Sequence, residues 1–256
     1  MVSGALLIIP VLVLVFVGVL LAMFLDVAFS QRTRRRAIQP LPLLIGDDLH
    51  DWAVKEGRAL TQESLAARAE KVDAVVLART ATAFADDVLA RTLHLSTPHA
   101  AGLNCRDGNG EVPRVTMPEA LSIVEELRQR GTVELIAVRQ RARRNLTAPV
   151  AAAGAETALT HCPLRTIAGT CACALSRPLA CSGRCLAGCD QPAGDAGWGR
   201  SLGEGLLEGM QAELRNAGLD GDRYELNEVL ARLPDVPDAA ARWQRGEHLL
   251  AAVGTN

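Results

Sequence analysis

The chain has 256 residues, a formal net charge of −2 and only 3% aromatic residues. A balance this close to neutral excludes bulk electrostatic attraction to nucleic acid, and the length suits one ordinary domain with an appendage. With aromatics scarce, a core has to rest on Leu, Val and Ala, which suits helices.

Residues 2–25 carry no charge. A run of about 20 apolar residues is what a membrane-spanning helix needs, and Pro10 stands near its start, where a missing N–H costs least. A cleaved signal peptide is the rival reading, because Ala28-Phe29-Ser30 resembles a cleavage site. Against it, no Lys or Arg precedes the run, and the run exceeds the roughly 7–15 residues of a signal-peptide core. Arg32, Arg34, Arg35 and Arg36 follow the span directly. The positive-inside rule then predicts a single-pass protein of the inner or plasma membrane, with the membrane as partner through the N-terminal helix and the C-terminal domain in the cytoplasm. Thiols stay reduced in that compartment. Residues 31–60 contain Pro40, Pro42, Gly46 and Gly57 and read as a juxtamembrane linker with a short helical turn around 49–54. The Asp47, Asp48, His50 and Asp51 group within it reads as solvated.

Residues 61–256 read as a helical domain. Thr61 is a candidate N-cap, followed by Leu65, Val72, Val76, Phe84, Val88 and Leu95 at helical intervals, with an end before Pro98. His94 and His99 read as surface residues. A turn-rich loop over 102–113 carries Cys105. Thr116 and Glu119 form a capping box, and Ala120, Ile123, Val124 and Leu127 share one face of a helix that stops at Gly131. A second helix is predicted over 133–146. Its arginines 139, 141, 143 and 144 lack the interleaved aromatics of a nucleic-acid surface and read as a solvated face. Residues 148–160 read as irregular or weakly helical. Beyond Gly199, Ser201 with Glu204 signals another helix start, Leu202, Leu206, Met210 and Leu214 stand four apart, and Gly218 ends the stripe. Asp222 with Glu225 repeats the signal ahead of Leu226, Val229, Leu230 and Leu233. Asp238 opens a last helix bearing Trp243, Leu250 and Val253. The predicted fold is mostly α: a single N-terminal transmembrane helix (1–30), the linker, and a helical domain with a cysteine-rich irregular loop at 161–190 and no sheet beyond two or three strands.

That loop holds six of the seven cysteines, at 162, 171, 173, 181, 185 and 189. Thiols gathered in one loop serve as disulfides, metal ligands or redox groups, and some are simply small buried hydrophobes. Sulfur selects zinc, copper(I) or iron–sulfur clusters. No CxxC pair occurs, so the spacing is not that of a zinc finger. If 181–189 is helical, Cys181, Cys185 and Cys189 face one side.

Cys162-Pro163-Leu164, Gly169-Thr170-Cys171 and Arg177-Pro178-Leu179-Ala180-Cys181 together resemble the YkgJ-like cysteine-cluster family, described as zinc- or iron-chelating. Ala174 stands where that family has tyrosine, and Cys173 where it has an aliphatic residue. Of the family's upstream cluster only the first cysteine, Cys105, is present. The resemblance implies a zinc or iron–sulfur site held by Cys105, Cys162, Cys171 and Cys181, with Cys185, Cys189 and His161 as alternates. Arg177-Pro178 reads as structural, because proline rigidifies the loop and the guanidinium can bond to carbonyls or stabilise nearby thiolates. Some relatives in that family are flagellin lysine methylases, yet no nucleotide, hydrolase or zinc-protease motif occurs in this chain. The expectation is therefore a membrane-anchored metal-chelating protein. The alternative is a family member that has lost its metal and acts as a helical interaction module.

Overall fold

A computed structural model describes residues 47–66, 73–92, 112–147, 162–166, 169–181, 193–234, 236 and 238–250. They belong to the unit Leu44–Asn256. Seven α-helices dominate the described residues, so the mostly helical expectation holds. They are α1 (Asp47–Ala66), α2 (Ala74–Thr92), α3 (Met117–Arg130), α4 (Thr132–Thr147), α5 (Ala193–Asn216), α6 (Leu226–Arg232) and α7 (Ala239–Gln244). Two short strands, β1 (Arg114–Thr116) and β2 (Arg223–Glu225), pair antiparallel with Val115 opposite Tyr224.

The membrane placement predicted from the sequence is corrected here. No helix among the described residues is long and apolar enough to cross a membrane; the predicted span over 2–25, and the arginines after it, lie outside the described residues.

The predicted linker is corrected as well. Helix α1 runs through its second half and on past Thr61, burying Leu49, Ala53, Gly57, Leu60 and Thr61 along α5. Gly57 reads as a breaker in sequence, but in the fold it is a contact point. A Cβ there would run into the Leu206 carbonyl, and one on Gly209 would run into that of Val54. Side chains are absent where the two helix backbones meet, so the axes approach closely. Thr61 is no cap; its hydroxyl donates back to the Gly57 carbonyl at 2.8 Å. The cap of α2 is Asp73, whose Oδ1 accepts the N–H groups of Val75 and Val76 at 3.0 and 3.2 Å.

Helices α3 and α4 follow the predicted pattern. Thr116 and Glu119 form the capping box, and Gly131, with φ 133°, separates the two helices. Helix α5 starts earlier than predicted, so Ser201 lies inside it rather than at its N-cap. Glu204 instead pairs with Arg223 of β2. Leu202, Leu206, Met210 and Leu214 are all buried, and Gly218 closes the C-terminus with φ 72°. Asp222 is likewise not a cap: residues 223–225 form β2, and Glu225 caps α6 by accepting the Asn227 N–H. Helix α7 is short, opening at Asp238 as predicted, and seats Trp243 fully in the core with its indole N–H on the Asp220 carbonyl. Leu249, rather than Leu250, supplies the next buried side chain.

Candidate functional site

Residues 162–166 and 169–181 form an irregular loop, as the cysteine-rich stretch predicts. Its first part is a small hairpin. The Arg165 N–H closes a turn on the Cys162 carbonyl at 3.2 Å, and Arg165 then pairs antiparallel with Cys171. The tip is shaped by Gly169, whose φ of 78° suits glycine. It is tied by the Thr166 and Thr170 hydroxyls at 2.7 Å and by the Thr170 carbonyl accepting the Thr166 N–H at 2.8 Å. A second hydrogen bond, from the Ala172 N–H to the Leu164 carbonyl at 2.7 Å, continues the pairing past Cys171. Arg141 of α4 donates to the Pro163 carbonyl at 2.9 Å, so one arginine of the predicted solvated patch anchors this loop instead.

The four described cysteines divide by environment. Cys162, Cys171 and Cys181 are half-buried, whereas Cys173 is fully buried. The Cys171 sulfur accepts the Cys173 N–H at 3.4 Å. The same sulfur lies 3.4 Å from the Cys173 carbonyl, to which its S–H can donate. Cys173 faces the other way, its sulfur 4.0 Å from the Ile123 carbonyl. Burial pushes its thiol well above the usual range, reinforced by Cys171 and Glu126 and opposed by Arg130. A thiol held protonated in this way packs as a small hydrophobe.

The second part of the loop, 175–181, is bound to the helices by polar groups. Arg177 is 2% exposed and forms an ion pair with Asp86 of α2, which is 6% exposed. The Thr82 hydroxyl donates to the Arg177 carbonyl at 3.4 Å, and Ser122 of α3 bonds Ser176 at 2.8 Å. The Leu179 N–H donates to Glu119 Oε1 at 2.8 Å. Leu179–Cys181 is a single 3-10 turn, closed by the Cys181 N–H on the Pro178 carbonyl at 2.8 Å. Burial raises the Glu119 carboxyl above its ordinary value, opposed by hydrogen bonds from Thr116 and Leu179 and by the charge of Arg223.

Of the predicted ligands, Cys162, Cys171 and Cys181 lie on this one loop, while Cys105, His161, Cys185 and Cys189 lie outside the described residues. Among the described residues, no group of three or more His, Cys, Asp or Glu side chains is placed to hold a metal ion. The donor chemistry fits at Cys171, where an N–H already addresses the sulfur, and does not fit at Cys173. Asp86 and the second role of Glu119 went unread in the sequence. Asp86 had a signal: it continues the buried stripe of Ala78, Thr82 and Leu89, and an acid on an apolar face needs a partner. No family model, no curated protein and no solved structure matches the chain.

Proposed function

We propose that this protein binds zinc or an iron–sulfur cluster through thiolates on the 162–181 loop, with Cys162, Cys171 and Cys181 as ligands and Cys105 as the fourth. The observation that carries this reading is an irregular loop fixed by buried polar groups while three of its thiols stay half-exposed. A buried ion pair is costly to desolvate and adds little net stability, so its presence under a loop speaks for holding that loop in one geometry. The Cys173 N–H on Cys171 sulfur is the kind of hydrogen bond that tunes bound thiolates. The sequence resemblance to a chelating family supports the same ligand set. When bound, the metal would supply a cross-link between chain segments, and a cluster would also carry electrons. The test is metal analysis of the full chain purified without oxygen, beside Cys171→Ser and Cys181→Ser. Stoichiometric metal in the parent and less in both variants is expected; a metal-free parent overturns the reading.

The second reading, a helical interaction module without metal, draws on α4. Val133 is 81% exposed and Ile136 50%, one turn apart on a face shared with exposed Arg143 and Arg144. Exposed apolar residues beside cations suit an acidic amphipathic partner. Retained partner binding by a metal-free Cys171→Ser protein, lost in Ile136→Ser, would favour it.

A further inference from the structure

We infer that Glu119 is the positioning residue for Cys181: its carboxylate holds the Leu179–Cys181 turn against α3, while Gly203 of α5 backs the same turn from the other side. The assignment of Cys181 as a ligand rests on the chelating reading; the grip on the turn stands on geometry alone.

A capping box uses one acceptor site of its Glu to satisfy the N-cap N–H. In Glu119 that work falls to Oε2, which accepts the Thr116 N–H at 2.8 Å and the Thr116 hydroxyl at 2.9 Å. At a surface cap the other oxygen would face water. Glu119 is 1% exposed, so Oε1 needs a donor from the protein. The Leu179 N–H, sixty residues further along the chain, supplies it at 2.8 Å. The carbonyl of the same residue lies against α5, where a Cβ on Gly203 would run into it. The Leu179 side chain is itself fully buried. Its N–H is therefore held by α3 and its carbonyl backed by α5, and Cys181 ends the turn that Leu179 begins. Protonation does not release the grip: a carboxylic acid keeps an acceptor oxygen for Leu179, and the Thr116 hydroxyl can rotate to accept.

A cap alone would stabilise α3 and leave the thiols alike. A positioning role acts on one thiol. The experiment measures the alkylation rate of each cysteine by iodoacetamide in the reduced, metal-free full chain, read by peptide mass spectrometry. Glu119→Leu leaves the turn without an acceptor, and Cys181 should react several-fold faster while Cys162 keeps its rate; Glu119→Gln, whose amide oxygen still accepts from Leu179, should restore most of the parent rate. Thr116→Val weakens the same cap but keeps the Leu179 contact, and should leave Cys181 unchanged. Gly203→Ala pushes on the turn from α5 without touching the cap, and should speed Cys181 as Glu119→Leu does. If Glu119→Leu loses its helical circular dichroism, Glu119→Asp, too short to reach both Thr116 and Leu179, is read in its place. An unchanged Cys181 rate in the folded variant, or an equal rise at Cys162 and Cys181, overturns the inference. Zinc titration of the parent in parallel tests the chelating reading separately: absent binding removes the ligand role of Cys181 and leaves the alkylation result to judge the grip.

Discussion

Two regions of the molecule are held by opposite means. Helices α1 and α5 meet backbone to backbone, with Gly57 and Gly209 clearing the contact and Leu49, Leu60, Leu202 and Leu206 filling it. Packing of this kind is close and non-directional. The 162–181 loop instead rests on Arg177–Asp86, Glu119–Leu179, Ser122–Ser176 and Arg141–Pro163. Each of those contacts is directional, and several are buried. The difference teaches that the helical frame is built for stability, and the loop for one particular shape.

The largest expected effect breaks the loop side. Asp86→Ala leaves the Arg177 guanidinium buried without its counter-charge, which should cost about 3–5 kcal/mol. Denaturant unfolding measures the loss, and Asp86→Asn should recover part of it through hydrogen bonding. Next comes the frame. Gly209→Ala forces α1 and α5 apart and should cost about 1–3 kcal/mol as overpacking, again by denaturant unfolding, with the cysteine reactivities unchanged.

A smaller effect concerns pH. The folded protein raises the Glu119 carboxyl above its unfolded value, so the fold favours the protonated form. Its contribution is fully present below the ordinary glutamate range and is lost as pH rises through the raised value. Melting temperature followed upward from acid should therefore contain a declining component that Glu119→Gln removes; an identical profile in the variant would contradict it. The smallest effect is on α4. Val133→Ser changes a side chain that is 81% exposed and should alter stability by less than about 0.5 kcal/mol.

The helical frame was largely legible in the sequence. Thr116 and Glu119, the four-residue stripe from Leu202 to Leu214, and Gly131 and Gly218 all stand where local rules place them. These signals are local, set by spacing within one element. What escaped was tertiary. Gly57 looks like a breaker until α5 is laid across it, and Ser201 looks like an N-cap until residues 193–200 join the helix. Glu119 was read correctly as a cap, but its second oxygen answers to Leu179, a pairing that no local pattern encodes. At the site, sequence placed three thiols on one irregular loop and read Arg177 as structural. It did not distinguish buried Cys173 from Cys171 by anything but the family pattern, because exposure is decided by α3 packing beneath the loop.

On the chelating proposal, the polar-anchored loop would hold a metal while the α1–α5 frame would stand without one. Amide hydrogen exchange on the full chain, purified without oxygen and compared before and after chelation, tests this most directly. The account predicts that removing metal lowers protection across 162–181 and leaves α1 and α5 unchanged. Identical exchange in the two samples, or a uniform loss over loop and frame alike, would contradict it.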